Sequence, residues 1–223
     1  MDALRKIVLI TNIPTPYRVP LFEELSRMLQ VRGFALHVVF GGKGYARRNF
    51  QIDPSTFGFA HSFLDGSKVE RADVEKTSFL YKGLGKALRK LKPELVIVSG
   101  FSVATIKVFL RGIPYIVWNG GVRSPYRKDG FLKKTLRKIL VRSAAGFVCY
   151  GSRARSYLIE LGADPARISV GINTVDTSFF SRETEKCRKL TVKADGVKQL
   201  LSISYLSPRK NITLLIELAR QLR

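Results

Sequence analysis

Residues 94–121, with the sequence ELVIVSGFSVATIKVFLRGIPYIVWNGG, combine a strand, a helix and a second strand. The segments ELVIVSG (94–100) and PYIVWNGG (114–121) are almost continuously apolar, which is typical of strands that are buried on both faces. The residues between them, 103–110, follow a helical apolar pattern. This order predicts two parallel strands joined by a helical crossover.

The same alternation extends through most of the chain. Further strands are predicted at 6–11, 35–42, 146–152 and 167–172, and further helices at 21–29, 82–91, 131–141 and 153–161. Residues 43–80 look irregular, with weaker strand signals around 57–64. The pattern predicts an α/β fold in which residues 1–175 form a Rossmann-like domain, a parallel sheet with helices on both faces.

The last residues, LLSISYLSPRKNITLLIELARQLR (200–223), predict one more strand, a turn and a helix. We interpret residues 198–223 as the first βα unit of a second domain and the charged residues 176–197 as a linker. One strand and one helix cannot bury a core, so we expect this domain to be incomplete and the chain to be a truncated product. The alternative is a closing helix that packs on the first domain.

The chain is strongly basic, with 39 Lys and Arg against 17 Asp and Glu and a net charge of +22. This field favours anionic partners such as membrane surfaces, phosphorylated substrates or nucleic acid. No apolar run approaches the roughly 20 residues of a membrane-spanning helix, and Cys149 and Cys187 have no disulfide or zinc-site spacing. We therefore expect a cytoplasmic protein, able to bind peripherally to the cytoplasmic face of a membrane.

Ligands of open α/β sheets bind at the carboxyl ends of the strands. The segments to inspect are those that follow predicted strands: 13–18, 41–48, 100–102, 119–127, 151–155 and 172–176. No GxGxxG follows the first strand and no GK[ST] follows a glycine-rich turn, so a nicotinamide cofactor and a P-loop are disfavoured. With two histidines in the chain, a catalytic triad or a histidine metal site has little support.

The predicted helix FLKKTLRKILVR is amphipathic and basic. We expect its apolar stripe to pack on the sheet. Its basic face, with Lys133, Lys134, Arg137 and Lys138, either is merely solvated or contacts anionic lipid.

Three segments together resemble the GT-B glycosyltransferases of family 4, which build polysaccharides and glycolipids. KIVLITNIPTPYRVPLFEEL (6–25) is similar to the family's first strand and acceptor loop. GFVCYGSRARSYLIELGADPARISVGINTVDTSFF (146–180) is similar to the end of its N-terminal domain, and LLSISYLSPRKNITLLIELARQL (200–222) to the opening of its donor-binding domain.

The resemblance implies a nucleotide-sugar donor between two Rossmann-like domains, no metal and no other cofactor, and transfer to a glycan or lipid-linked acceptor, generally with retention of the anomeric configuration. It implies that Lys210 and Arg209 bind the donor diphosphate. Thr15, Pro16, Tyr17 and Arg18 would form the acceptor loop, and Asn119 would occupy a catalytic position. The residues expected to line the cleft are Gly100, Gly120, Gly121, Arg123, Ser152 and Asn173.

The chain departs from the family at several points. Ser204 and Tyr205 replace a Gly-Arg pair, and Asn119 stands where many members have a histidine. The Glu-x7-Glu element that binds the donor sugar would lie beyond Arg223, so we expect this fragment alone to be inactive. Two alternatives remain: a basic, non-catalytic α/β module that docks on anionic membrane or nucleic acid, and a nucleotide-sugar epimerase of the same fold. Sequence-specific nucleic-acid binding lacks a recognition motif.

Overall fold

The structure, a computed structural model, describes residues 4–44, 52–65, 68–71, 76–123, 130–190, 201–204, 206 and 210–221. The chain divides into two compact units, Met1–Ser178 and Phe179–Arg223. The first unit contains the strands β1 (Arg5–Thr11), β2 (Phe34–Phe40), β3 (Ala60–Phe63), β6 (Leu95–Ser99), β7 (Tyr115–Asn119), β8 (Gly146–Cys149) and β9 (Ile168–Val170). These seven form one sheet in the order β3-β2-β1-β6-β7-β8-β9, and every neighbouring pair is parallel.

Five helices of the first unit cover both faces of this sheet. They are α1 (Val19–Val31), α2 (Leu84–Leu91), α3 (Val103–Phe109), α4 (Phe131–Arg142) and α5 (Ser152–Glu160). Successive side chains of β1 point to opposite faces, so Val8 and Ile10 join a core with α2 to α5, while Ile7 and Leu9 join a core with α1. The α/β fold with a parallel, helix-covered sheet that the sequence predicts is therefore confirmed.

The region 43–80 contains more strand than the sequence indicates. Besides β3, the short strands β4 (Lys68–Arg71) and β5 (Lys76–Phe79) pair antiparallel as a separate hairpin. Strands of four residues carry too little periodic signal to be separated from a loop by pattern alone.

In the second part of the chain, the helices α6 (Thr177–Leu190) and α7 (Ile212–Gln221) are present. The first lies in the segment interpreted as a linker, where the charged sequence gave no helical prediction. The helix predicted after the turn corresponds to the second, but residues 201–204, where the preceding strand was expected, are not in a strand. A strand needs ladder partners for its N–H and C=O groups, and local sequence cannot supply them.

The expectation that the apolar stripe of α4 packs on the sheet fails for most of the stripe, although Leu140 at its end is buried. Phe131 and Leu132 are each 82% exposed, and Leu136 and Ile139 are also exposed. Leu140 and Val141, in the last turn, are the buried residues of this helix. Arg137 donates a hydrogen bond to the Tyr157 hydroxyl of α5 at 3.0 Å, so the side of the helix that carries this cation faces the protein. This contact and the burial of the last turn set the rotation of α4 and leave Phe131, Leu132, Leu136 and Ile139 in solvent.

Candidate functional site

The sheet reverses its direction of growth between β1 and β6. From β1 the chain adds β2 and β3 on one side and then crosses to β6, β7, β8 and β9 on the other. In open parallel sheets, such a switch point leaves a crevice at the carboxyl ends of the two strands, where the following loops diverge. The loops that follow β1 and β6 are residues 12–18 and 100–102, and they contain the segments 13–18 and 100–102 that were selected from the sequence.

The loop after β1 holds Thr15 in a buried position, with 8% of the residue exposed. Its carbonyl oxygen accepts hydrogen bonds from the backbone N–H groups of Arg18 and Val19, at 2.9 and 3.2 Å. The next residue, Pro20, has no N–H. The start of α1 therefore has few free backbone donors for an anion, in contrast to a glycine-rich phosphate loop. The Thr15 hydroxyl oxygen is buried and has no hydrogen-bond partner among the described residues.

Arg18, at the N-cap of α1, extends towards the ends of β7 and β8. Its Nη2 donates to the Tyr150 hydroxyl at 2.7 Å. Its Cζ lies 5.8 Å from the centroid of the Trp118 ring and 5.9 Å from that of the Tyr17 ring. The rings of Trp118 and Tyr150 meet edge to face, with centroids 6.5 Å apart. Three separate segments thus hold one half-buried guanidinium at the edge of the sheet where ligands are expected.

The loop after β7 is organised by Asn119, which is buried. Its Oδ1 accepts from the Gly121 N–H at 3.0 Å, and its Nδ2 donates to the Gly121 carbonyl at 3.3 Å. Among the contacts of the described residues, these two bonds leave one N–H of the amide and one lone pair of Oδ1 for a ligand. The neutral amide can hydrogen-bond a sugar hydroxyl, but it cannot carry a proton.

Two glycines at this edge permit close approaches. A Cβ at Gly120 would lie 2.4 Å from the Tyr150 ring, so the ring that holds Arg18 requires a glycine there. Gly100 has a φ of 69°, which favours glycine, and its carbonyl accepts from the Thr105 hydroxyl at 2.6 Å at the start of α3.

A second contact ties the loop after β1 to the segment before α2. The Tyr81 hydroxyl donates to Asn12 Oδ1 at 2.5 Å, and burial raises the pKa of Tyr81. Lys107 of α3 donates from Nζ to the carbonyls of Leu80 and Tyr81, at 2.7 and 2.9 Å. These bonds fix the Asn12 side of the crevice.

The remaining predicted residues lie at the same edge or outside the first unit. Pro16 and Tyr17 are exposed in the loop after β1, Arg123 forms an exposed ion pair with Glu160 at 3.5 Å, and Ser152 and Asn173 are exposed at the start of α5 and after β9. Lys210 belongs to the second unit and is exposed two residues before the start of α7. Arg209 lies outside the described residues.

Sequence analysis did not select Trp118, Tyr150 or Tyr81. Trp118 and Tyr150 lie within the second halves of the predicted strands 114–121 and 146–152, close to the segments that were selected, and this proximity was the signal that could have identified them. Their contacts with Arg18 join residues 100 and 132 positions apart, and no local pattern encodes such pairing.

Within the described ranges, no three His, Cys, Asp or Glu side chains come together in a way that could hold a metal ion. That catalysis needs neither metal nor cofactor stays a prediction. A search of the same residues also finds no helix that is long and apolar enough to cross a membrane.

No protein-family model and no curated protein sequence matches the chain. Among solved structures, it is similar to Anabaena HepE in complex with UDP and glucose, with 16% identity and a TM-score of 0.60 over 98% of this chain and 58% of that one. It is also similar to UDP-GlcNAc 2-epimerase from Neisseria meningitidis bound to UDP-GlcNAc, with 19% identity and a TM-score of 0.57 over 83% and 51% of the two chains. UDP-N-acetylglucosamine 2-epimerase from Rickettsia bellii is similar as well, with 18% identity and a TM-score of 0.51 over 83% of this chain and 49% of that one.

At these identities the likeness shows the fold, which is of the GT-B type. The chain spans about half the length of the solved structures it matches.

Proposed function

We propose that this chain carries the acceptor-binding domain of a glycosyltransferase of family 4, which transfers a sugar from a nucleotide-sugar donor to a glycan or lipid-linked acceptor in polysaccharide or glycolipid biosynthesis. The observation that carries the proposal is the polar cluster at the carboxyl edge of the sheet, where Tyr150 and Trp118 hold the Arg18 guanidinium and the buried Thr15 hydroxyl has no partner among the described residues. UDP or a UDP-sugar is bound in two solved structures of the same fold, which supports a nucleotide-sugar substrate. The family-4 motifs favour transfer over epimerisation.

The donor would bind to a second Rossmann-like domain of about 150 residues, of which residues 198–223 are the first part. The apolar side chains of Leu214 and Leu218 on α7 are each 47% exposed, as expected for a helix that a larger domain covers. Glycosyl transfer releases a nucleoside diphosphate, so cations are needed where negative charge grows. Lys210 and Arg209 are the proposed diphosphate ligands, without a metal, in a reaction that retains the anomeric configuration.

In the first domain, we assign Thr15, Pro16, Tyr17 and Arg18 to acceptor binding. Asn119 would contact a sugar hydroxyl through the hydrogen-bonding capacity that Gly121 leaves free. Gly100, Gly120, Gly121, Arg123, Ser152 and Asn173 would line the cleft.

An assay that separates the two reactions tests this function. Protein that includes any polypeptide encoded after Arg223 is incubated with UDP-glucose or UDP-GlcNAc, radiolabelled in the sugar, and an extract of membrane lipids and glycans. A transferase moves label into lipid or glycan and releases UDP. Conversion of UDP-GlcNAc into its C2 epimer without an acceptor, followed by NMR, would instead identify an epimerase and refute the proposal.

In the active protein, Lys210→Ala is expected to lower kcat/KM by about 100-fold, because removal of one charge-stabilising donor costs on this order. Asn119→Ala should have a smaller effect, since an amide supplies no charge. Lys186→Ala, which removes an exposed cation that pairs with Glu183, is the control. An active Lys210→Ala protein beside an inactive Asn119→Ala protein would contradict the assignment of the diphosphate site.

We also propose that the exposed stripe of α4, formed by Phe131, Leu132, Leu136 and Ile139, docks on an anionic bilayer. The helix carries five Lys and Arg residues and no acidic residue, and basic helices with an apolar stripe lie in membrane interfaces. Two copies of a chain with a net charge of +22 repel each other, which disfavours a second copy as the occupant. A lipid-linked acceptor would be reached from this surface.

A further inference from the structure

The Arg18 guanidinium has no carboxylate partner among the described residues. Among the described residues, its hydrogen-bond partner is the neutral Tyr150 hydroxyl, and no ion pair of Arg18 is found there. A guanidinium has five N–H donors and no acceptor, so most of its donors remain for another group. Arg18 is partly buried and lies at the edge of the sheet where ligands of such folds bind.

The guanidinium is also held in place. The Arg18 Cζ lies over the rings of Trp118 and Tyr17, at 5.8 and 5.9 Å from their centroids, and Nη2 donates a hydrogen bond to the Tyr150 hydroxyl. Immobilising a long side chain costs conformational entropy, which the ring contacts and the hydrogen bond offset. A fork fixed in this way is suited to bidentate binding of an oxyanion.

Two further polar atoms at this edge lack partners among the described residues. The Thr15 hydroxyl is buried, in a residue that is 92% buried, and the Trp118 Nε1 is buried as well. Leaving such groups unsatisfied is unfavourable, so each is expected to meet a ligand or water. The indole N–H can only donate and the hydroxyl can also donate. Each of these groups can donate a hydrogen bond, as the Arg18 guanidinium does, and this matches a ligand rich in acceptor oxygens.

We propose that Arg18, Thr15 and Trp118 form a phosphate-binding subsite, positioned by Tyr150, at the carboxyl edge of the sheet. The inference rests on the proposed function for its place in catalysis, since both the donor diphosphate and a phosphorylated acceptor carry such a group. The charge comes from a side chain, because the Val19 N–H is already bonded to Thr15 and Pro20 has none. Substitution of Arg18 alone should therefore remove the subsite, without any change to the backbone of the loop.

The experiment is calorimetric titration of the chain with inorganic pyrophosphate, UDP and geranyl phosphate, at 50 mM and 150 mM salt. Arg18→Gln is expected to weaken binding by about 10-fold or more, because charge-assisted hydrogen bonds are the strong ones. Arg18→Lys keeps the charge without the fork and should be intermediate. Tyr150→Phe keeps the ring and loses the bond that holds Arg18, and should weaken binding by a few fold.

Arg32→Gln is the matched control, since Arg32 is an exposed cation at the opposite end of α1. Equal losses in Arg18→Gln and Arg32→Gln would mean that the net charge alone attracts the anions, and would overturn the subsite. Thermal unfolding tests whether each variant is folded. If Arg18→Gln is not folded, anion binding by Arg18→Lys and Tyr150→Phe is compared with that of Arg32→Gln instead.

The ligands distinguish the sources of the phosphate. Dependence on Arg18 for UDP but not for geranyl phosphate assigns the subsite to the donor, and the reverse assigns it to the acceptor. Binding of all three probes that is independent of Arg18 refutes the inference. Pyrophosphate binding requires no transfer. If protein that includes any polypeptide encoded after Arg223 shows Arg18-dependent binding but no transferase activity, the proposed function is refuted and the subsite stands.

Discussion

Gly120 is the residue whose small size allows Tyr150 to reach Arg18. A Cβ there would lie 2.4 Å and 2.6 Å from two ring carbons of Tyr150, much closer than van der Waals contact. We expect Gly120→Ala to displace the ring, to lower the free energy of unfolding by about 1–3 kcal/mol and to weaken pyrophosphate binding. Urea denaturation and calorimetry measure the two effects.

Gly44→Ala is the control for that substitution, because no heavy atom lies within 4 Å of its added Cβ. The free energy of unfolding of the Gly44→Ala variant should differ little from that of the parent. If Gly120→Ala is as stable as the parent and binds pyrophosphate equally, the Tyr150 ring does not depend on this glycine.

His37 on β2 is expected to make the stability of the protein depend on pH. Burial lowers its pKa from the usual 6.5, and the charges of Lys6 on β1 and His61 on β3 add to this. Its Nε2 lies 3.0 Å from the Ser62 hydroxyl. Below about pH 6.5 the unfolded chain binds more protons at this residue than the folded chain, so stability is lost as the pH falls.

The urea midpoint of the parent is therefore expected to fall between pH 7.5 and 5.5, and the fall should be smaller in His37→Gln, which keeps a hydrogen-bonding nitrogen near Ser62. The difference between the two slopes isolates this residue from other titrating groups. Identical slopes in the two proteins would show that His37 does not couple folding to protonation.

At the same scale, the sequence located part of the site. The loop 13–18 and the turn around Asn119 were selected because they follow predicted strands, and the structure brings both to one edge. Which side chain of a loop turns inward was not predictable. Thr15 is buried and Pro16 is exposed, and this depends on the start of α1 and on strands far away in the chain.

Among the elements, α4 combines a solvent-exposed apolar stripe with a basic flank, and we expect it to bind anionic vesicles. Neutralising Lys133, Lys134 and Lys138 to Gln should weaken partitioning by up to about 100-fold at low salt, because each cation near such a surface contributes about 1 kcal/mol. Arg137 is kept, since it bonds Tyr157. Co-sedimentation with phosphatidylcholine vesicles containing 30% phosphatidylglycerol measures the effect.

The matched control removes the same charge from α2, with Lys86, Arg89 and Lys90 all changed to Gln. Phe131→Ser with Leu132→Ser should also weaken binding, while Leu110→Ser with Val31→Ser, at other exposed apolar positions, should not. Equal losses in the two charge variants would mean that net charge alone draws the chain to the vesicles. A changed oligomeric state of the Phe131 and Leu132 variant, measured by light scattering, would instead identify the stripe as a contact between copies.

The predictability of elements follows their burial. Strands such as β1 and β6 are continuous apolar runs because helices or loops cover both their faces, and they were found close to their true bounds. Helix α4 was also found, but its rotation was predicted incorrectly, because amphipathicity identifies a stripe and not the surface that it faces. Tertiary contacts of Leu140, Val141 and Arg137 determine the orientation.

For the whole molecule, the two units differ in how their helices are packed. In the first, α1 is anchored by the fully buried Phe22. In the second part of the chain, none of the described side chains of α6 or α7 is buried. Because helices gain most of their stability from packing an apolar face, α6 is expected to open locally far more often than α1.

Limited trypsinolysis tests both this difference and the proposed boundary between domains. Cleavage by protease follows the population of locally opened states, so exposure of a basic side chain is not sufficient. Arg27 on α1 has a side chain that is 67% exposed, yet it should be protected. The first cuts are expected between residues 176 and 197, for example after Arg182 or Lys186 on α6, and should leave a fragment that begins at the N-terminus and resists further digestion. Intact-mass spectrometry of a time course identifies the sites.

Early cleavage at Arg27 or elsewhere within residues 6–170, with residues 179–190 still joined to the first unit, would contradict this prediction. It would show that the first unit is not an independent folding domain and that the boundary lies elsewhere.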